Sequence, residues 1–360
     1  MKLQTLGSIC LGLAMSLAAY TAQAQEPVNV RISFDQSEQS PAWQQAMKVL
    51  GDELESGSNG RFKVTHYTGE VLHKISDGFR AVATGITDIA SAYPVYSANS
   101  FHLFHAPGLP LALPQTNVAA ARVVDELYPT YFKDEYERMG VLVAFNAVTP
   151  GYDILTTKPV RSVEDLKGLK IRSAGAIITQ ILERLGATPV TMTISDTYTA
   201  FQQGVVDGIA LSTADMVAYR LHEVGRYNYR IGIVRVPIPF AVNKDFYTSL
   251  PDDLRLVFDK AAANAGYNYS NMYTPLTERA LEEMKKQGIE IVEASGDDLT
   301  KVEEMAAPLW EDFVSANSGR PGPSAADLVS DLRSLSEKYK DATAEEIQEL
   351  KDIQPVAGLR

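Results

Sequence analysis

Residues 159–175 read PVRSVEDLKGLKIRSAG. Ser162 stands in N-cap position, with Asp165 three residues later where a capping-box acid belongs. Gly168 ends the turn, Leu169–Arg172 predicts a short strand, and residues 174–185 have helical spacing. A strand that delivers an arginine to the mouth of a helix suits anion capture. The guanidinium presents a planar fork matched to a carboxylate, and the helix start adds unpaired N–H groups. A structural arginine paired with a nearby acid fits the same pattern, and this stretch alone leaves both readings open.

Outward from it, the order of elements predicts an α/β chain. Val28–Phe34 alternates as a strand, a helix runs from near Pro41 to Leu54, and residues 61–67 (RFKVTHY) alternate again. A helix over residues 77–84 ends at Gly85, and residues 86–92 form a further strand leading into Tyr93-Pro94-Val95-Tyr96. This β-α-β-α-β order implies a mostly parallel sheet with helices on its faces. Ligands of such sheets sit beyond the carboxyl ends of the strands, so residues after Phe34, Tyr67 and Ala92 are placed to face one. Residues 101–114 predict an apolar irregular segment, 117–131 a helix, and 141–145 a strand followed by Asn146. A second set follows residue 151: the opening stretch, a strand over 188–192, a helix over 196–203 and a strand over 205–211. Pro237 and Pro239 inside the apolar run 231–242 predict an edge strand or an inter-domain bend rather than a central strand. From Leu250 a helical pattern of about 30 residues predicts a domain-bridging helix, with a kink at Pro275. Residues 289–292 predict a last strand, 297–316 a core helix, and 326–350 a charged helical tail.

The chain has 360 residues, enough for two domains, with ordinary apolar (45%) and charged (22%) content. Lys2, the apolar run 9–19 and Thr21-Ala22-Gln23-Ala24 read as a secretory signal peptide over residues 1–24. No later segment is long and apolar enough to insert in a bilayer, which predicts an exported periplasmic protein. The sole cysteine, Cys10, lies inside that signal, so the mature chain has no disulfide or thiolate chemistry. A net charge of -12 argues against nucleic acid as a partner.

Catalytic signatures are missing: no nucleophile elbow, phosphate-binding loop, dinucleotide fingerprint or zinc helix. His102 and His105 form an H-x-x-H pair whose ordinary reading is structural, and His222-Glu223 lacks a second histidine. Asp252-Asp253 and Glu282-Glu283 fall on exposed helical faces. Neither a cofactor nor a metal is expected. Tyrosine is abundant, at 17 residues, and Tyr67, Tyr93, Tyr96 and Tyr152 fall at or near strand ends. A phenol offers a flat apolar face and a hydrogen-bonding tip, which suits an enclosed polar or aromatic ligand.

At SVEDLKGLKIR (162–172), LGATPVTMTISDTYTAFQQGVVDG (185–208) and FAVNKDFYTSLPDDLRLVF (240–258) the chain resembles the extracytoplasmic solute-binding proteins of tripartite ATP-independent periplasmic (TRAP) transporters, the DctP family. The resemblance runs to about residue 320. It implies a two-domain periplasmic-binding-protein fold with mixed, mostly parallel sheets, crossing strands and a long bridging helix. One domain would hold residues 25–149 plus 237–276 and the other 150–236 plus 277–330, with residues 331–360 a helical tail. It implies that Arg172 clamps the carboxylate of a small organic acid, which a monomeric receptor hands to one small and one large membrane subunit. Tyr152, Tyr93, Tyr96, Tyr67, Asn146 and Ser212 are the further candidate ligand contacts. Tyr152 stands where many relatives with highly polar ligands carry a second arginine, and Ile209-Ala210-Leu211-Ser212 lacks an asparagine that some have there. These departures argue against a sialic-acid-like or simple dicarboxylate ligand, and for a monocarboxylate with an apolar, aromatic or even cationic remainder. The competing readings are an exported hydrolase-like enzyme working through an acid pair, and a sensory binding protein of the same fold.

Overall fold

The computed structural model describes residues 26–350. The signal-peptide reading of residues 1–24, with Cys10, and residues 351–360 of the tail lie outside the described residues. Among the described residues eleven strands run in the order β1 Val28–Phe34, β2 Phe62–Thr68, β3 Ile89–Ser91, β4 Val141–Val148, β5 Tyr152–Thr156, β6 Lys170–Ser173, β7 Thr188–Thr191, β8 Gly208–Ser212, β9 Tyr227–Arg230, β10 Pro237–Asn243 and β11 Glu290–Glu293. They form two sheets, β2-β1-β3-β10-β4 and β11-β9-β5-β8-β6-β7. Both are mixed. The β-α-β units pair in parallel (β1 with β2 and β3, β6 with β7 and β8). The late-arriving β10 and the crossing β5 pair antiparallel with their neighbours.

Helices cover both faces of the first sheet. Trp43, Met47, Leu50 and Leu54 pack with Phe258 and Ala262 against Val30, Ile32 and Phe34 on one side. Phe79, Val123, Val124 and Leu127 join a second core on the other. Phe240 stacks on Phe145 with centroids 4.3 Å apart, and Phe34 lies 6.2 Å from it. Tyr269 sets its ring against both Phe34 and Phe240. Such aromatic pairs add about 0.5–1.5 kcal/mol beyond the area they bury. They fix the end of β1 against the bridging helix.

The sheets are linked at three places. Residues 149–151 carry the chain from β4 to β5, and residues 231–236 carry it back from β9 to β10. These crossovers lie side by side: Tyr152 N donates to Val234 O at 2.8 Å, Ile233 N to Tyr152 O at 3.0 Å, and Thr149 N to Val236 O at 3.0 Å. The backbones touch where both residues are glycine, since a Cβ on Gly151 would stand 2.8 Å from Gly232 Cα. The third link is helical, Asp252–Asn271 followed by Tyr273–Lys286. The kink expected at Pro275 falls at Met272. Pro275 has no N–H for the carbonyl of Asn271, so the ladder breaks one turn before the proline.

The proline-bearing run divides in two. Residues 231–236 are the expected inter-domain bend, but β10 is a central strand between β3 and β4, against the expectation of an edge. Pro239 O accepts from Ala92 N at 3.0 Å, so its ring nitrogen also faces that side, just past Ser91 where β3 has ended. The missing donors therefore break no ladder pair. Strands β5 and β9 and the helix Thr213–Ala218 were not marked by periodicity. The tail helix Ala325–Tyr339 buries Leu328, Leu332 and Tyr339. Its Tyr339 donates to Glu126 at 2.6 Å, so this part of the tail is packed rather than wholly solvated.

Candidate functional site

Arg172 lies in β6, which the Ser162–Asp165 capping box precedes as expected. With β7 and β8 parallel on either side, the carboxyl end of β6 opens toward the seam between the sheets. The Arg172 side chain is only 1% exposed. Its Nε and Nη2 donate to Met192 O at 3.2 and 2.9 Å, and Nη2 also donates to Tyr96 Oη at 3.3 Å. All these acceptors are neutral. Among the described residues no carboxylate forms an ion pair with it. A buried guanidinium without a counter-charge is costly, and an incoming anion removes much of that cost.

Arg172 lines a small inner cavity of about 40 Å³ together with Tyr93 and Tyr96 from the first sheet's loops and Tyr152 from β5. Thus four predicted residues converge. The other three do not line it. Tyr67 is half-buried on β2, the edge strand farthest from β4. Asn146 turns from the seam and donates to Asp125 at 2.7 Å. Ser212 is fully buried and caps Thr213–Ala218, accepting from Asp215 N at 3.2 Å and donating to Asp215 Oδ2 at 2.5 Å. Asp153, next to Tyr152, faces the crossover. It accepts from Thr213 Oγ1 at 2.6 Å and from the N–H groups of Ile231 and Gly232, both at 3.1 Å.

Sequence reasoning passed over the acidic end of the cavity. Asp215, Tyr219, Tyr269 and Tyr273 line it, and Asp35 stands directly behind two of the tyrosines. Asp35 accepts from Ser91 Oγ at 2.7 Å, Tyr93 Oη at 3.2 Å and Tyr219 Oη at 3.2 Å. Burial pushes its carboxyl above the usual range, and those three hydroxyls pull the other way. Burial likewise pushes Asp215 up to about 6, opposed by the Ser212 and Tyr273 hydroxyls. The signal for Asp35 was available, since it directly follows β1. Asp215 had none, because the helix carrying it is one turn and a half long. Tyr269 and Tyr273 are four apart on the bridging helices, and no strand end marks either of them.

Several of these bonds tie one sheet's elements to the other's: Tyr96 with Arg172, Tyr219 with Asp35, and Ser195 Oγ with Glu70 Oε1 at 3.1 Å. The arrangement is closed around the cavity. A wider chamber of about 550 Å³ adjoins it, sharing Gln36, Asp215 and Tyr273. His102 and His105 take separate partners, Arg320 and Ala98 O. Among the described residues no three metal-ligating side chains converge.

The family model described as bacterial extracellular solute-binding protein, family 7 (DctP), matches residues 33–317. The chain belongs to that family. It is 26% identical over 314 residues to the C4-dicarboxylate-binding periplasmic protein DctP of Rhodobacter capsulatus, covering 86% of this chain and 93% of the relative. A TRAP periplasmic solute-binding protein of Desulfovibrio salexigens, solved as an open complex, superposes with a TM-score of 0.75 at 27% identity, covering 88% and 98% of the two chains. A TRAP solute-binding protein from an unidentified marine microbe, specific for aromatic acid ligands and solved with 3-hydroxybenzoate, gives 0.81 at 25% identity, with 87% and 99% covered. DctP-family members are solute-binding receptors rather than enzymes, and their place is outside the cytoplasm. Among the described residues no helix is long and apolar enough to cross a membrane.

Proposed function

We propose that this DctP-family protein is exported by cleavage after about Ala24, captures one small monocarboxylic acid in the periplasm, and delivers it as a monomer to a small and a large TRAP membrane subunit. Two lobes, residues 25–149 with 237–276 and residues 150–236 with 277–330, close over the ligand. The observation that carries the reading is Arg172, a 1%-exposed guanidinium with neutral partners only, facing a cavity. The ligand carboxylate would take the fork of Arg172, with Tyr96 and Tyr152 beside it. Tyr152 in place of a second cation, and the aromatic acid bound by the marine relative, both support a single carboxylate on a less polar body.

Mass spectrometry of ligand released from the purified protein, followed by calorimetry with that compound, tests the reading. Arg172→Ala is expected to weaken binding by about 2–5 kcal/mol, roughly 30- to several-thousand-fold. An affinity within about threefold of wild type would end the carboxylate-clamp assignment.

A further inference from the structure

Arg172 is the only cation among the described residues lining the inner cavity, whereas Asp215 lines its far end and Asp35 lies behind Tyr93 and Tyr219 there. Neither Asp35 nor Asp215 forms an ion pair among the described residues. Asp35 already has three hydroxyl donors aimed at it, which favour its ionised form against the burial that opposes it. A plain carboxylate ligand would add a further negative charge to an enclosed space lined by Asp215 and Arg172, with Asp35 behind its tyrosine wall, and low-dielectric surroundings make that imbalance expensive. The polarity of the cavity is graded. The Tyr152 phenol lies within electrostatic reach of both Arg172 and Asp215, and Tyr96 within reach of Arg172 and Asp35.

A second observation comes from the aromatic wall. Tyr93, Tyr219, Tyr269 and Tyr273 cluster around the acids. Tyr269 is fully buried and lines the cavity. Its hydroxyl lies beside that of Tyr273 but makes no hydrogen bond in good geometry. Tyrosine faces backed by carboxylates form the environment that recognises ammonium and alkylated ammonium groups. An unpartnered hydroxyl there is free to accept from an N–H group.

We propose that the ligand is a zwitterion, with its carboxylate on Arg172 and an ammonium or alkylated ammonium group against Asp215, Asp35 and the tyrosine faces around them. This rests on the carboxylate reading given above. The zwitterion brings its own counter-charge to each end of the cavity, so closure buries two matched contacts and adds no net charge.

Matched pairs of probes that differ in one charge test it by calorimetry: glycine betaine against 3,3-dimethylbutanoate, proline against cyclopentanecarboxylate, and phenylalanine against 3-phenylpropanoate. At least one zwitterion is expected to bind about tenfold or more tightly than its anionic twin. Asp215→Asn should shrink that ratio, and Asp35→Asn provides the same reading should Asp215→Asn fail to fold. The proposal is overturned if no zwitterion in the set outbinds its twin, or if the ratio survives in the folded asparagine variants. Carboxylates without a cationic group that bind in an Arg172-dependent way would then leave the carboxylate clamp standing while removing the cationic end.

Discussion

Arg172 is held at a cost to the unliganded fold, because a guanidinium this deeply buried meets carbonyl and phenol oxygens but no carboxylate. Arg172→Met, which keeps much of the volume without the charge, is therefore expected to abolish ligand binding while leaving the melting temperature unchanged or higher. Arg172→Lys should bind nearly as poorly as Arg172→Ala, since a point charge cannot reproduce the fork. Asp125 gives a separate test through pH. Burial pushes its carboxyl up to about 7, only partly opposed by Asn146, whereas an unfolded aspartate titrates near about 3.9. The folded state thus holds more protons in between. The contribution of this group to stability is fully present below about pH 4 and is lost as pH rises through about 7. Denaturant titrations from pH 5 to 7.5 should show Asp125→Asn flattening that decline relative to wild type. A parallel pair of curves would contradict it.

At the scale of elements, the sharpest constraint is the contact between the two crossovers. Gly151→Ala places a Cβ against the Gly232 backbone, and separating two hydrogen-bonded segments is expected to cost about 1–3 kcal/mol in chemical denaturation. Most elements were legible beforehand because their signals are local. β1 occupies the predicted Val28–Phe34, the capping box forms at Ser162, and positive-φ glycines such as Gly85, Gly168 and Gly204 stop their helices and turns where expected. β5 and β9 escaped notice since YDILT and YNYR are too short and too evenly buried or polar to alternate. β10 was misplaced at an edge because the rule for prolines in strands assumes that both sides of the strand are paired along its full length. Here β3 is three residues long and ends before the prolines need a partner.

On the whole-molecule scale, polar contacts join elements of the two sheets around the cavity. Tyr219→Phe removes a phenol that reaches across to Asp35. Hydrogen bonds to charged groups contribute about 1.5–3 kcal/mol, so this variant should bind about tenfold or more weakly, with the loss coming from a less populated closed state. Small-angle scattering of the liganded protein would then report a larger radius of gyration than wild type at equal, subsaturating ligand. Unchanged affinity and size would exclude Tyr219 as a closure contact. The sequence by itself determined the α/β element order, the likeness to a binding-protein family, and the arginine at the end of β6, because helix caps, strand alternation and turn glycines act over a few residues. Only the tertiary structure decided which side chains share the cavity. It turned Asn146 toward Asp125, left Tyr67 on an outer strand, and gathered Asp35, Asp215, Tyr219, Tyr269 and Tyr273 from three distant parts of the chain. Their meeting depends on how two sheets and a bridging helix pack, and that geometry leaves no periodic trace in any one of the segments.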